Sequence, residues 1–414
     1  MKRRHFLTLG AMSLVGAAGC RFWPDEGFVN PCYVDRLPEA LKQHDEVQQA
    51  WEGIDATQVW DCHCHLVGVG DNDSGVWVNP KMQSVFNPVQ YTQFRFYLNA
   101  ACANSKNNVD NTYVKRISAL LDDFPDGYKA MLLAFDYHHD KQGSREIERS
   151  TFYTPNDYAE KTARQNSNQF EWIASIHPLR PDAIEALERA VQRGARAIKW
   201  LPQAMRIDPS SAKCDAFYSA LIKHNMPLLS HAGHEHAVDA ADLQALGNPL
   251  LLRRPLEQGV KVIVAHCAST GSSLDLDAGK SATEVSNISL FARMMNEVQY
   301  QDVLYGDISA LTQVNRSRET IEAIFKHPEW HERLLYGSDY PLPGVMPLFS
   351  PETMVAYQFL QPEQAQILSQ IRQYNPILFD FLLKRMMSVG GQKLEASVFH
   401  TRPHFSQERA KIPQ

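Results

Sequence analysis

Eight short apolar runs recur along this chain, and each ends in a histidine, lysine or aspartate. They occupy 59–65, 131–136, 172–177, 197–200, 228–231, 262–266, 303–307 and 334–339. Their polar tips are His65, Asp136, His177, Lys199, His231, His266, Asp307 and Asp339. After the second run the tips recur at about 22 to 41 residues, the length of a strand plus a helix. Helical stretches at 182–193, 214–225 and 317–326 fill the intervals. Near-continuous apolar strands suit a parallel sheet buried on both faces. Eight such units close into an α/β fold of the (β/α)8 barrel type. The longer first interval is an insertion after strand 1, with helices at 88–103 and 109–121. An amphipathic helix at 376–387 caps the barrel.

A barrel places all strand C-termini on one rim, and that rim carries the chemistry. Folding does not require polar tips, and burying such groups unpaired costs several kcal/mol by order of magnitude. The first run ends Asp61-Cys62-His63-Cys64-His65. Strict alternation would put Asp61, His63 and His65 on one face and both cysteines on the other. Two neighbouring imidazoles are half of a metal site. Asp61, placed just before them, is read as a carboxylate that steadies a ligand histidine from behind. Cys62 and Cys64 read as small apolar residues, since neighbours at i and i+2 are poorly placed for a bridge.

These residues resemble a known family. Asp61-x-His63-x-His65 on the first strand, His231 on the fifth, His266 on the sixth and Gly337-Ser338-Asp339-Tyr340-Pro341 on the eighth match the amidohydrolase superfamily. The branch is the amidohydrolase-related (amidohydrolase 2) group, and the resemblance spans about residues 56–386. It implies that His63, His65, His231 and Asp339 bind one divalent metal, zinc in the first instance. It implies that Asp339 also accepts the proton of an attacking water, and that His266 serves as acid, base or second-metal ligand. Lys199 stands where some members carry a carboxylated lysine bridging two ions; here one ion, with Lys199 as an uncarboxylated polar group, is the favoured reading. The implied activity is hydrolysis of a small amide, ester or lactone by metal-activated water. A metal-dependent decarboxylase of a small aromatic acid and a non-catalytic ligand-binding lipoprotein are the alternatives.

Lys2-Arg3-Arg4 followed by an apolar stretch to Ala18 reads as an export signal over residues 1–20, too short for a membrane span. Arg3-Arg4 resembles a twin-arginine signal, and Ala17-Ala18-Gly19-Cys20 resembles a bacterial lipobox that would lipidate Cys20. The expected compartment is therefore the periplasm or cell envelope, with membrane contact only through that lipid. Residues 21–55 form a polar extension with a helical segment at 38–51, residues 56–390 the barrel, and residues 391–414 a polar tail. Seven cysteines in 414 residues are too few for a disulfide framework. The net charge of −6 and scattered basic residues argue against nucleic acid, leaving a small molecule as the partner.

Other polar residues are assigned more weakly. Asp307 either lines the pocket or caps a turn, and His177 is read as a strand-end histidine satisfied by backbone. His138, His139, His234 and His236 fall on rim loops. Arg95, Arg180 and Arg206 are candidates to meet a substrate carboxylate. Asp71 to Gly75 faintly resembles half a calcium loop, but Met82 stands where the closing glutamate belongs, so a Gly/Asp turn is expected.

Overall fold

A computed structural model describes residues 27–103, 107–238 and 240–406. The eight expected runs form eight strands: β1 (Trp60–His65), β2 (Lys129–Leu133), β3 (Phe170–Ile173), β4 (Ile198–Trp200), β5 (Leu228–His231), β6 (Val262–Ala265), β7 (Leu304–Asp307) and β8 (Leu334–Leu335). Parallel pairing joins β1–β2–β3 and β4 through β8 in order. Two seams close the ring. Ala174, just past β3, bridges Ile198, and Lys199 donates its N–H to the Ala174 carbonyl at 2.7 Å. On the other side Cys62 donates to Tyr336 at 3.1 Å and His65 to Tyr340 at 2.9 Å. The fold is thus a (β/α)8 barrel, as the sequence implies.

The core is divided by the ring. Residues such as Met131, Leu133, Ile173, Leu229, Ile263 and Leu335 fill the barrel interior. The alternate residues pack outward against helices such as Ala183–Gln192, Asp215–Lys223 and Arg318–Phe325. Trp200 points outward, against Phe217 and Tyr218. The capping helix is Pro376–Met386, buried on nearly every side. The insertion helices are Pro88–Ala100 and Val109–Leu121. No helix among the described residues is long and apolar enough to cross a membrane.

β1 departs from simple alternation. Asp61 pairs with Ala130 and Cys64 with Leu132, so one extra residue sits in β1. This bulge flips the side-chain parity. Cys62 joins Trp60 inside the barrel, whereas Cys64 packs outward. Asp61 also leaves the face expected of it. Its Oδ1 accepts the backbone N–H groups of His63 at 3.0 Å and Ser338 at 2.8 Å, not an imidazole.

Residues 394–406 are more ordered than their polarity suggests. Ala396–Phe399 and Arg402–Phe405 are short helices, and Phe405 joins the interior cluster near Trp60. Thr401 accepts from Trp60 N–H at 2.8 Å and donates back to the Trp60 carbonyl. The helical segment expected at 38–51 is split into Glu39–Lys42 and Asp45–Ala50. One disulfide, Cys32–Cys102, ties the N-terminal extension to the end of the first insertion helix. Asn30 reinforces that tie, accepting from Asn99 at 3.2 Å and donating to the Gly344 carbonyl at 3.4 Å. Cys62, Cys64, Cys214 and Cys267 are buried free thiols. The export signal with Cys20, and residues 407–414, lie outside the described residues.

Candidate active site

His63 is the best-anchored group at the mouth. Its Nδ1 lies 2.9 Å from Oδ2 of Asp307. Burial alone would raise the Asp307 carboxyl. The adjoining imidazoles of His63 and His266 and the Ser309 hydroxyl outweigh it, and hold the group well below the carboxylate range. An ionised acceptor at Nδ1 fixes the proton there and leaves Nε2 of His63 bare, the tautomer a metal ligand needs. Asp307 Oδ1 accepts the backbone N–H groups of His266 (2.9 Å) and Ser309 (3.0 Å) and the Ser309 hydroxyl. The β7 carboxylate therefore lies behind the site and organises two strand ends. Gly337 allows β8 to approach: a Cβ there would stand 2.7 Å from Cβ of His63.

Asp339 and His266 share an uncommon backbone. Both take left-handed φ, +59° and +58°. For non-glycine residues such conformations cost on the order of 1–3 kcal/mol and gather at functional sites. Asp339 is held by its own N–H, which donates to the His63 carbonyl at 2.7 Å. Its Oδ1 lies 3.1 Å from His65 Nε2 and 3.6 Å from His63 Nε2. Burial opposes ionisation, but the imidazoles of His266, His65 and His63 hold this carboxyl below its usual range. His266 directs Nδ1 at Ser309, 2.8 Å from the hydroxyl and 3.1 Å from the carbonyl. Burial lowers this imidazole to about 3, so it is neutral.

His63, His65 and Asp339 each offer one ligand atom, all within 4.8 Å of one another. A second such trio is His63, His266 and Asp307. His231, expected in the ligand set, belongs to neither trio, but its ring lies 5.4 Å from that of His266. Its Nε2 is buried without a hydrogen-bond partner. An orphaned, neutral imidazole nitrogen beside three converging donors suits a divalent cation better than an empty polar cavity. Lys199 is also buried, its Nζ 3.3 Å from His63 Nε2, and burial lowers its pKa.

His63, His65, Lys199, His231, His266 and Asp339 line one cavity of about 110 Å³. Its remaining walls are mostly apolar, including Val76, Tyr97, Phe135, Phe152, Leu201 and Leu342. Glu235 lines it too. It accepts N–H groups from Ala237 and Val238, faces His231 Nδ1 at 3.6 Å, and burial raises its carboxyl. The sequence reading overlooked Glu235, Ser309 and Tyr97. A glutamate four residues after His231 was a usable signal; Tyr97 reaches the site only through the insertion.

The weaker candidates fall elsewhere. Arg95 is exposed, Arg180 is paired with Asp136 and Asp182, and Arg206 stands 3.6 Å from Glu146 on a different cavity. His234 is bound to the Ser272 carbonyl at 2.9 Å, and His138 to that of Ala204 at 2.9 Å. Asp71 accepts the N–H groups of Val109 and Asp110 at the start of the second insertion helix, and Asp110 accepts those of Val69 and Gly70 in return, so the loop's carboxylates are spent on backbone. His177 stacks on His139, ring centroids 4.4 Å apart.

His177 has a stability consequence. Burial drives its pKa down to about 3, far below the unfolded value. A neutral histidine in the fold contributes fully above about pH 6.5, and that contribution is lost as pH falls toward 3. Between pH 7 and pH 5 the wild type should lose about 2 kcal/mol through this group. Urea unfolding of the wild type and His177→Asn at both pH values tests this; equal pH slopes would refute it.

The family's place is now clear from the chain itself. The fold is a (β/α)8 barrel whose strand tips gather histidines and aspartates able to hold a metal ion, the build of a metal-dependent hydrolase or decarboxylase. The amidohydrolase family model matches residues 60–369, and the chain belongs to that family, in the amidohydrolase-related branch. No curated protein matches the chain. Among solved structures it is similar to an uncharacterised TIM-barrel protein from Bordetella bronchiseptica, at 13% identity over 75% of this chain and 98% of that one, TM-score 0.47. It is similar to a manganese-containing 5-carboxyvanillate decarboxylase from Novosphingobium aromaticivorans, at 13% identity over 78% and 95%, TM-score 0.44. It is also similar to 4-oxalomesaconate hydratase from Rhodopseudomonas palustris, at 14% identity over 76% and 93%, TM-score 0.41. The reactions in those names belong to those proteins.

Proposed function

We propose that this chain is a metal-dependent hydrolase of a small, uncharged amide, ester or lactone. His63, His65, His231 and Asp339 would hold the divalent ion. When bound, the ion supplies Lewis acidity, which brings the pKa of water from about 15.7 toward about 7. Asp339, ionised, accepts the proton of the attacking water. His266, with Nδ1 committed to Ser309, has Nε2 free to orient the carbonyl or carry a proton to the leaving group. Asp307 fixes the His63 tautomer, and Lys199 provides a buried donor beside His63.

The observation that carries the choice of hydrolysis is the cavity wall. Among the described residues it contains no arginine, and its single lysine lies against His63. Beyond the ion itself, a carboxylate-bearing substrate finds no arginine to meet it there, whereas a neutral carbonyl finds a base and an acid. The test strips the purified protein with a chelator and reloads it with Zn²⁺ or Mn²⁺. Neutral esters, lactones and amides are then screened beside aromatic acids, scoring acid release against carbon dioxide release. Metal-restored acid release is the expected result. Carbon dioxide as the sole product would assign decarboxylation instead, and turnover unaffected by stripping would defeat both.

A further inference from the structure

The catalytic cavity has a neighbour. Just beyond Tyr97 lies a rim groove of about 590 Å³, and the two hollows share Tyr97, Ala237 and Leu342 as lining residues. The partition is thin. Tyr97 donates its hydroxyl to the Ala237 carbonyl at 2.8 Å, and Gln93 donates to the carbonyls of His236 and Ala237. These bonds hold the insertion helix Pro88–Ala100 against the loop after β5. The groove is built from the outer side of that helix (Pro88, Val89, Phe96) and the loop after β8 (Val345, Pro347, Leu348).

Two features of the groove point to its occupant. Among the described residues no Asp, Glu, Lys or Arg lines it, and burial lowers the His236 pKa, which favours the neutral ring. Val89, which lines it, is 73% exposed, and Val85 and Phe86, just ahead of Pro88 in the chain, are 64% and 93% exposed. Soluble surfaces seldom gather exposed apolar side chains at one place without a ligand for them. The inner cavity, at about 110 Å³, is much the smaller of the two.

We propose that the groove is the seat for an uncharged alkyl or aryl tail of the substrate, so that the physiological substrate is an amphiphilic amide or ester. This rests on the hydrolytic metal-site reading above. The carbonyl sits among the strand tips, and the tail passes the edge of Tyr97 to lie between the insertion helix and the β8 loop. The three wall residues shared with the catalytic cavity favour a substrate tail over a macromolecular partner.

Alkyl hydroxamates test the groove without turnover, because the head group chelates a metal whatever the reaction. Affinities of aceto-, butyro-, hexano- and octanohydroxamate for the zinc-loaded full-length protein would be measured by calorimetry. The expected result is a gain of about threefold per added methylene, levelling off when the groove is full. Val89→Glu and Thr92→Glu place a carboxylate on two exposed groove-lining positions of the first helical turns, where acidic residues are tolerated. Both should flatten the series while leaving acetohydroxamate affinity and the melting temperature unchanged. Tight acetohydroxamate binding with no dependence on chain length would overturn the proposal and leave the metal site standing. Failure of acetohydroxamate to bind the zinc-loaded protein would remove the metal reading, and the proposal with it.

Discussion

Turnover of an Asp339→Asn variant is expected to fall about 10⁴-fold at saturating metal. The amide is nearly isosteric, so the left-handed turn and the N–H bond to the His63 carbonyl should survive. What is lost is the ability to take a proton, an effect worth about 10²–10⁴-fold for a general base. The carboxylate charge that offsets a divalent ion is lost as well. That loss should show as weaker metal retention during dialysis, measured by elemental analysis beside the rate. His266→Ala provides the contrast, since His266 stands outside the His63–His65–Asp339 trio with its Nδ1 committed to Ser309, and its loss should spare most of the metal. Retention of more than a tenth of wild-type turnover by fully loaded Asp339→Asn would remove Asp339 from the chemistry.

The largest stability effect is expected away from the cavity. Lys384, from the capping helix, is fully buried and donates to Asp380 at 2.6 Å and to the Gly337 carbonyl at 2.9 Å. Burial raises the Asp380 carboxyl to about 7 and that of neighbouring Asp61 to about 6. Removing the one cation among them leaves buried acids without a counter-charge. Lys384→Met should therefore cost about 3–5 kcal/mol, read from urea midpoints. Because such a pair is worth little against an apolar replacement, Lys384→Met/Asp380→Leu should recover most of the loss. A single variant within about 1 kcal/mol of wild type would show that water reaches the pair. The same lysine steadies the turn at Gly337, two residues before Asp339, so its loss should also loosen the mouth.

The barrel was legible because buried parallel strands leave an unmistakable pattern: uninterrupted apolar runs at strand-helix spacing. The polar tips were legible for the converse reason, since nothing in folding calls for them. Less could be read where backbone geometry intervenes. The bulge in β1 carries no sequence signature, and it moved Asp61 behind the strand and Cys62 into the barrel. The carboxylate steadying His63 proved to be Asp307, for which the sequence left pocket and turn equally open. The end of the chain looked like a tail because short helices with few apolar residues have no clear periodicity. Even so, Phe405 and Thr401 suffice to anchor it. The Cys32–Cys102 bridge spans 70 residues and was hidden among cysteines too sparse to suggest a pattern.

That bridge has a mechanical consequence. It fastens the trailing end of Pro88–Ala100 to the N-terminal arm, while the leading end begins at the exposed Val85–Phe86 corner. The trailing half of the helix is thus doubly secured, by the bridge with the Asn99–Asn30 bond on one side and by Tyr97 and Gln93 on the other, so reducing the bridge alone should leave it seated.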